Sequence, residues 1–161
     1  MKRIFLCAAV IFSSAVVLPT IALASDEVNV SRGLVESGKP LAVHGYDVVS
    51  YFTDGKPTHG SSKFDEVYQG ATYRFSSEEN LKAFKDNPAK YAPQFGGFCA
   101  YGTALGKKFD GDPEDWTIAE GKLYLNLNPD IQEKFRKDVP GFIGKADKNW
   151  TKIQHTGVSE L

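Results

Sequence analysis

Tyr73-Arg-Phe-Ser-Ser-Glu-Glu-Asn-Leu-Lys-Ala-Phe-Lys-Asp-Asn-Pro-Ala-Lys-Tyr91 is the stretch that decides the fold. Tyr73 and Phe75 alternate as they do in a strand, whereas Leu81 and Phe84 lie three apart on one helical face. The period changes at Ser76. The stretch therefore predicts a strand that runs directly into a helix.

Both ends of this helix are marked by capping signals. Ser76 and Glu79 have the S-x-x-E spacing of a capping box, in which each side chain bonds the other residue's backbone N–H. Asn87-Pro88 ends the helix, because the residue before a proline disfavours helical conformation. Asn87 can then cap a new turn with Pro88 at its first position, and Tyr91 folds back towards Phe84.

This strand, helix and turn resemble the YHS domain family, whose motif is roughly aromatic-x-F-[CS]-S, then a helix with Phe, then N-P-x-x-Y. Three further stretches resemble a secreted bacterial branch of that family, so that the resemblance spans most of residues 41 to 150. The motif positions are Tyr73, Phe75, Ser77, Phe84, Pro88 and Tyr91, and the further stretches are 45–52, 96–102 and 121–126.

Metal-handling members of the family place two cysteines in a Phe-Cys-Ser-x-x-Cys segment at the strand-to-helix turn. The matching positions of this chain are Ser76 and Asn80. Neither is a soft ligand, so the thiolate pair that would hold copper or zinc is absent from the turn. The resemblance supports the fold better than the metal.

The first 24 residues have the pattern of a secretory signal peptide: Lys2-Arg3, an apolar run, and Ala22-Leu-Ala24 before the cleavage point. The run is too interrupted to span a membrane, and Cys7 does not occupy a lipobox. We therefore expect an exported protein, periplasmic or secreted, with no stable membrane anchor after cleavage. Losing Lys2 and Arg3 takes the formal net charge from −1 to −3, which disfavours nucleic acid as a partner.

The remaining chain is expected to form one α+β domain of short antiparallel hairpins packed with several short helices. Residues 25–40 are predicted to be an N-terminal tether or a loosely docked segment, 41–153 the YHS-like domain, and 154–161 a loose tail. No internal repeat is apparent. The predicted strands are 46–52, 64–69, 72–75, 116–119 and 122–126, and further helices are predicted over 97–105, from Asn128-Pro129 and from about Pro140.

Cys99 is the only cysteine after the signal, and with His44 and His59 it could bind copper or zinc as a transition-metal site. A helix beginning near Gly96-Gly97 would lower the pKa of its thiol and make it reactive. The alternative is that Cys99 is a small core hydrophobe. His155, in the tail, is a weaker candidate.

The sequence also offers residues for two other kinds of site. Tyr46, Tyr51, Tyr73 and Tyr101 could line an aromatic pocket for a small ligand, although packing is their commoner role. A Cys99 nucleophile with His44 and with Asp47 or Asp110 is the best case for an enzyme, but no recognisable catalytic motif supports it, so we do not predict an enzyme. The acidic run 110–115 is interpreted as a turn rather than a calcium loop.

The leading hypothesis is thus an exported YHS-like protein that binds copper or zinc as an accessory or carrier, anchored by Cys99. The alternative is a metal-free module that binds a small molecule or a protein partner, in which Cys99 is a structural buried residue. The two differ in whether the thiol is reachable in the native protein.

Overall fold

The computed structural model describes residues 26–161, and the predicted signal peptide lies outside them. The helices are α1 Ser50–Thr53, α2 Glu78–Asp86, α3 Pro88–Tyr91, α4 Ala100–Ala104, α5 Pro129–Arg136 and α6 Val139–Ile153. The strands are β1 Ser61–Tyr68, β2 Ala71–Phe75, β3 Asp112–Ala119 and β4 Lys122–Asn126. Within this part of the chain, no helix has the length and apolar character needed to cross a bilayer.

The strands form two separate antiparallel hairpins, β1–β2 and β3–β4, so the predicted α+β class is confirmed. Each hairpin turns on a residue pair in the left-handed conformation, Gln69-Gly70 and Glu120-Gly121. Such pairs match the right-handed twist of the strands they join. The first hairpin forms one hydrophobic core with Val48 and Phe84, to which Leu123 and Leu125 of β4 also contribute. Tyr124 of β4 faces another core, formed with α4, α5 and α6.

The two hairpins belong to a repeated unit, which the sequence analysis did not detect. β3, β4 and α5 begin 51 residues after β1, β2 and α2, respectively. A side chain caps α2 and α5 at the same point: Ser77 accepts from Asn80 N, and Asn128 accepts from Ile131 N. Left-handed residues precede both units at the same spacing, His44-Gly45 and Phe95-Gly96. We call β1–β2–α2 with residues 43–50 the first unit, and β3–β4–α5 with residues 94–101 the second unit.

The prediction that Ser76 caps α2 is wrong. Ser77, not Ser76, caps α2, and its Oγ accepts from Asn80 N at 3.1 Å. Ser76 instead donates its hydroxyl to Asp47. Pro88 does occupy the first turn of α3, although the Asn87 side chain makes no capping bond.

The strand predicted over 46–52 is wrong as well, because this segment turns into α1. Asp47 Oδ1 accepts from Val49 N at 2.8 Å, and the Ser50 hydroxyl donates to the Asp47 carbonyl at 2.8 Å. Such local side-chain bonds compete with strand pairing. The helix predicted over 97–105 is shorter than expected, since Phe95, Gly96 and Gly97 are left-handed and α4 begins only at Ala100.

Both ends of the described chain pack on the domain. In the segment predicted to be a tether, Asn29 N donates to the Gly96 carbonyl at 2.9 Å. In the predicted tail, Val158 N donates to Asp26 Oδ2 at 2.9 Å, and His155 Nδ1 pairs with Glu27 Oε1 at 2.7 Å. The acidic run 110–115 also differs from the predicted turn, because β3 begins within it at Asp112.

Candidate functional site

Cys99 lies at the N-terminus of α4, beneath the second hairpin. Its side chain is fully buried and caps the helix, with Sγ accepting from Gly102 N at 3.3 Å. Its own backbone N–H donates to the Phe109 carbonyl at 2.9 Å, and a single bridge pairs it with Leu125 of β4. Strand and helix together therefore fix the position of the sulfur.

Two opposing effects act on the Cys99 thiol. Burial raises its pKa, since desolvation disfavours the thiolate. Backbone groups of Gly102, Leu127 and Tyr101 act in the opposite direction, because their hydrogen bonds stabilise the thiolate. Burial is the larger effect, so the resting group is a protonated thiol surrounded by donors.

Asn126, the last residue of β4, is the polar neighbour of this thiol. Cys99 Sγ lies 4.0 Å from Asn126 Oδ1 and can donate a weak hydrogen bond to it. The Asn126 side chain is fully buried, yet its Nδ2 has no hydrogen-bond partner in the described part of the chain. Leaving such a donor unpaired costs about 1 to 3 kcal/mol. The amide therefore adds an unused donor beside the sulfur.

The first unit has apolar residues where the second has this pair. The 51-residue spacing places the fully buried Val48 opposite Cys99 and the fully buried Phe75 opposite Asn126. The repeated backbone therefore accepts an apolar pair at these positions, and the thiol and amide are particular to the second unit.

His44 has Asp110, not Cys99, as its side-chain partner. Its backbone is left-handed, with φ of 49°, and its Nε2 lies 3.1 Å from Asp110 Oδ1. Asp110 Oδ1 also accepts from Asn29 Nδ2 at 2.6 Å. The structure thus brings together His44 and Asp110, as the enzyme hypothesis proposed, but the described partners of Cys99 Sγ are Gly102 and Asn126.

The predicted metal ligands do not assemble into one site. His59 packs its ring against Tyr46, with the ring centroids 4.1 Å apart. Among residues 26–161 no group of three or more histidines, cysteines, aspartates or glutamates is placed to hold a metal ion. Cys99, His44 and His59 therefore lie in three different environments.

Asp47 binds the strand-to-helix turn between β2 and α2, the turn that carries Ser76 and leads to Asn80. Its fully buried Oδ2 accepts from Ser76 N at 2.9 Å, from Ser76 Oγ at 2.6 Å and from Asn80 Nδ2 at 2.7 Å. Ser76 and Asn80 thus serve as donors to a carboxylate. A turn of this composition does not fit a soft transition metal, which prefers thiolate and imidazole ligands.

The four tyrosines predicted to line a pocket are packing residues instead. Tyr51 is buried and donates to the Pro113 carbonyl at 2.9 Å, and Tyr73 is buried against Phe84. Burial raises the pKa of both phenols. Tyr46 donates to Glu114 at 3.0 Å, and the Tyr101 ring packs on Phe142. Tyr46 and Tyr51 both interact with Glu114, whereas Tyr73 and Tyr101 lie against other residues, so the four side chains do not share one set of neighbours.

Sequence reasoning found Cys99 but missed Asn126 and the role of Asp47. No local signal marks Asn126, because it meets Cys99 only through the pairing of distant segments. The matching 51-residue spacing of two Gly-turned hairpins was the one sequence signal that could have found it.

Comparison with known proteins gives one match. Residues 49–95 match the family model of the YHS domain, which confirms the resemblance over this stretch. The match covers β1, β2 and α2, begins after Asp47 and Val48, and ends before Cys99. No curated protein and no solved structure matches the chain.

Proposed function

We propose that this chain is an exported YHS-like protein whose functional group is the Cys99 thiol, since residues 49–95 match the YHS domain, a domain type associated with metals. The observation that supports this is the buried thiol–amide pair of Cys99 and Asn126. A polar pair with an unsatisfied donor is less favourable than the apolar pair that the first unit carries. Residues that lower stability in this way are commonly kept for function.

The donors around Cys99 suit an anion on sulfur. Backbone groups of Tyr101, Gly102 and Leu127 favour the thiolate, and Asn126 Nδ2 provides a further donor. Phe109 packs over Gly102 and is 45% exposed, and Leu127 is 38% exposed. We place the access route between these two side chains, because Phe109 and Leu127 are half-exposed residues whose backbone groups hydrogen-bond Cys99.

The reaction proposed is reversible oxidation by a hydroperoxide. The thiolate sulfur attacks one peroxide oxygen, the O–O bond breaks, and the departing oxygen takes up a proton as water or alcohol. Sulfur is oxidised to the sulfenic acid while the peroxide is reduced. Asn126 Nδ2 can donate to the new oxygen, and a cellular thiol would restore Cys99.

The test is trapping of the sulfenic acid with dimedone on the native protein, read by mass spectrometry of the peptide that contains Cys99. We expect labelling that depends on peroxide, decreases in Asn126→Leu and increases in Phe109→Ala. Leu105→Ala, at the exposed end of α4, is the matched control and should leave the rate unchanged. Labelling that appears only after unfolding would show that Cys99 is structural and would overturn the proposal.

Copper or zinc carriage is the second candidate, favoured by the metal association of the YHS domain. Cys99 would be the anchor and His44 the next ligand, which requires His44 to leave Asp110. Titration with Cu(I) or Zn(II) beside Cys99→Ser separates the two functions. Stoichiometric binding that is lost in the variant and protects the thiol from labelling would favour metal carriage.

A further inference from the structure

A cleft of about 240 Å³ lies on the side of the molecule formed by the tip of the first hairpin, the left-handed turn before α4, the end of α6 and the N-terminal segment. Pockets that bind drug-sized ligands measure about 300 to 1,000 Å³, so this cleft suits a smaller molecule. None of its lining residues belongs to the Cys99 or Asp47 sites described above.

The cleft offers amide groups and an aromatic surface. Gln94 and Gln154 line it, and their side-chain amides make no hydrogen bond within residues 26–161. Each amide supplies both donors and an acceptor. The half-buried Trp150 also lines the cleft, beside Phe95. This combination matches a small planar molecule whose edge carries a donor next to an acceptor.

Backbone strain is located at the same cleft. Phe95 is buried but left-handed, with φ of 55°, a conformation that non-glycine residues rarely adopt. It begins a run of three left-handed residues that ends at Gly97. Strained residues are concentrated at binding and catalytic sites, where the surrounding structure maintains them. The turn that carries Gln94 is thus held in one shape before any ligand arrives.

Lys108 fixes the wall formed by the two chain ends. Its nearly buried Nζ donates to the carbonyls of Asp26 at 2.6 Å, Gln154 at 2.9 Å and Thr156 at 2.8 Å. The same ammonium lies 5.4 Å from the centre of the Trp150 ring, within cation–π range. One side chain therefore sets the positions of Gln154 and Trp150 together.

From these observations we infer that the cleft is a binding site for a small planar molecule with a carboxamide-type edge, and that Lys108 is the positioning residue that builds its wall. The site is independent of the thiol chemistry proposed for Cys99. Benzamide is the simplest probe of this class, and methyl benzoate, which lacks the N–H donors, is its matched control.

The experiment is an NMR titration of the purified full chain that observes backbone amides, glutamine side chains and indole N–H groups. We expect saturable shifts from benzamide confined to the cleft, and weaker binding of methyl benzoate. The Gln94→Ala, Gln154→Ala double variant should bind benzamide about thirtyfold more weakly, since two hydrogen bonds of about 1 kcal/mol each are lost. Lys122→Ala, exposed in the second hairpin, should change nothing. Shifts outside the cleft, or unchanged binding in the double variant, would overturn the site.

Lys108→Met tests the positioning role. It should speed hydrogen exchange of residues 154–161, move the Trp150 indole signal and abolish benzamide binding, whereas Lys108→Arg, which keeps the charge and the donors, should restore all three. Unchanged benzamide binding in Lys108→Met would overturn the role of Lys108. If Lys108→Met does not fold, Lys108→Gln, which keeps an N–H donor but loses the charge, takes its place: weaker benzamide binding with the hairpin signals unchanged supports the role, and unchanged binding contradicts it.

Discussion

The two hairpin–helix units share a backbone and differ in where their polar groups are buried. The first unit places Asp47, Ser76 and Asn80 in a hydrogen-bonded lock at its strand-to-helix turn, and Val48 with Phe75 in its core. The same spacing puts Phe98, Leu127 and Ile131 at the lock positions of the second unit, and Cys99 with Asn126 at the core positions. The same backbone accepts apolar residues at both sets of positions, so each polar set has a role that is specific to its own unit.

The two polar sets also differ in how completely their groups are hydrogen-bonded. Both Asp47 oxygens accept hydrogen bonds, four in all from Val49, Ser76 and Asn80. Asn126, by contrast, keeps a donor with no partner in the described residues. A satisfied polar network stabilises a fold, whereas an unsatisfied one costs free energy. We therefore assign the first set to stability and the second to chemistry.

The largest expected effect tests whether the units are equivalent in their cores. Phe84 of α2 and Phe135 of α5 are both fully buried, so Phe84→Ala and Phe135→Ala should each lower the free energy of unfolding by about 3 to 5 kcal/mol in urea denaturation. Leu105→Ala, at an exposed side chain, is the control. A decrease of less than about 1 kcal/mol in the free energy of unfolding for either variant would show that the two cores are not equivalent.

The next largest effect breaks the lock of the first unit. Asp47→Ala leaves the buried donor of Val49 and the partly buried donors of Ser76 and Asn80 unpaired, and should lower the free energy of unfolding by about 3 kcal/mol. Asp54→Ala, which removes an exposed carboxylate at the end of α1, should have little effect. Equal losses in the two variants would show that the lock contributes nothing special.

A smaller effect of opposite sign is expected in the second unit. Asn126→Leu removes the unpaired amide from a buried position, so stability should stay level or rise by about 1 kcal/mol. Dimedone labelling of Cys99 should fall in the same protein. A thermal denaturation series gives the first quantity, and a loss above about 2 kcal/mol would place Asn126 with Asp47 as a stabilising residue.

The smallest effect is a pH dependence. Burial raises the pKa of Cys99, so below the ordinary value of 9.0 both the folded and unfolded states keep the proton and stability is complete. Above that pH the unfolded state loses its proton first, and the free energy of unfolding falls until the folded pKa is passed. Tyr51 and Tyr73, whose pKa values are also raised, add a decline above pH 10.0.

Cys99→Val isolates the contribution of the thiol, because it substitutes the residue type found in the first unit. The variant should lose less stability than the parent between about pH 8 and pH 10, measured by urea denaturation at each pH. Identical pH profiles would mean that the thiol is not desolvated in the folded state.

The sequence predicted those parts of the fold whose signals are local. Gln69-Gly70 and Glu120-Gly121 mark the turns, and the helix beginning at Asn128-Pro129 was placed correctly because cap and proline adjoin. The strand expected over 46–52 failed because Asp47 bonds its own neighbours. The repeat went unnoticed because few positions keep the same residue in both units.

The candidate site was less predictable than the fold. Cys99 attracted notice as a lone cysteine, but its partner Asn126 is 27 residues away and has no pattern of its own. His44 met Asp110 rather than Cys99, since the left-handed turn at 43–45 fixes its direction. Contacts between distant segments depend on packing, which residue spacing along one segment does not report.

The Lys108 contacts have a mechanical consequence. Because one ammonium binds carbonyls near both described ends, those ends are adjacent in space. A short linker could join them, and new termini could be opened at the exposed Glu120-Gly121 turn to give a circular permutant. A force applied by pulling residues 26 and 161 apart would load the bonds of Lys108 before it reached either hairpin. The molecule would therefore yield first at its ends, with both units still folded.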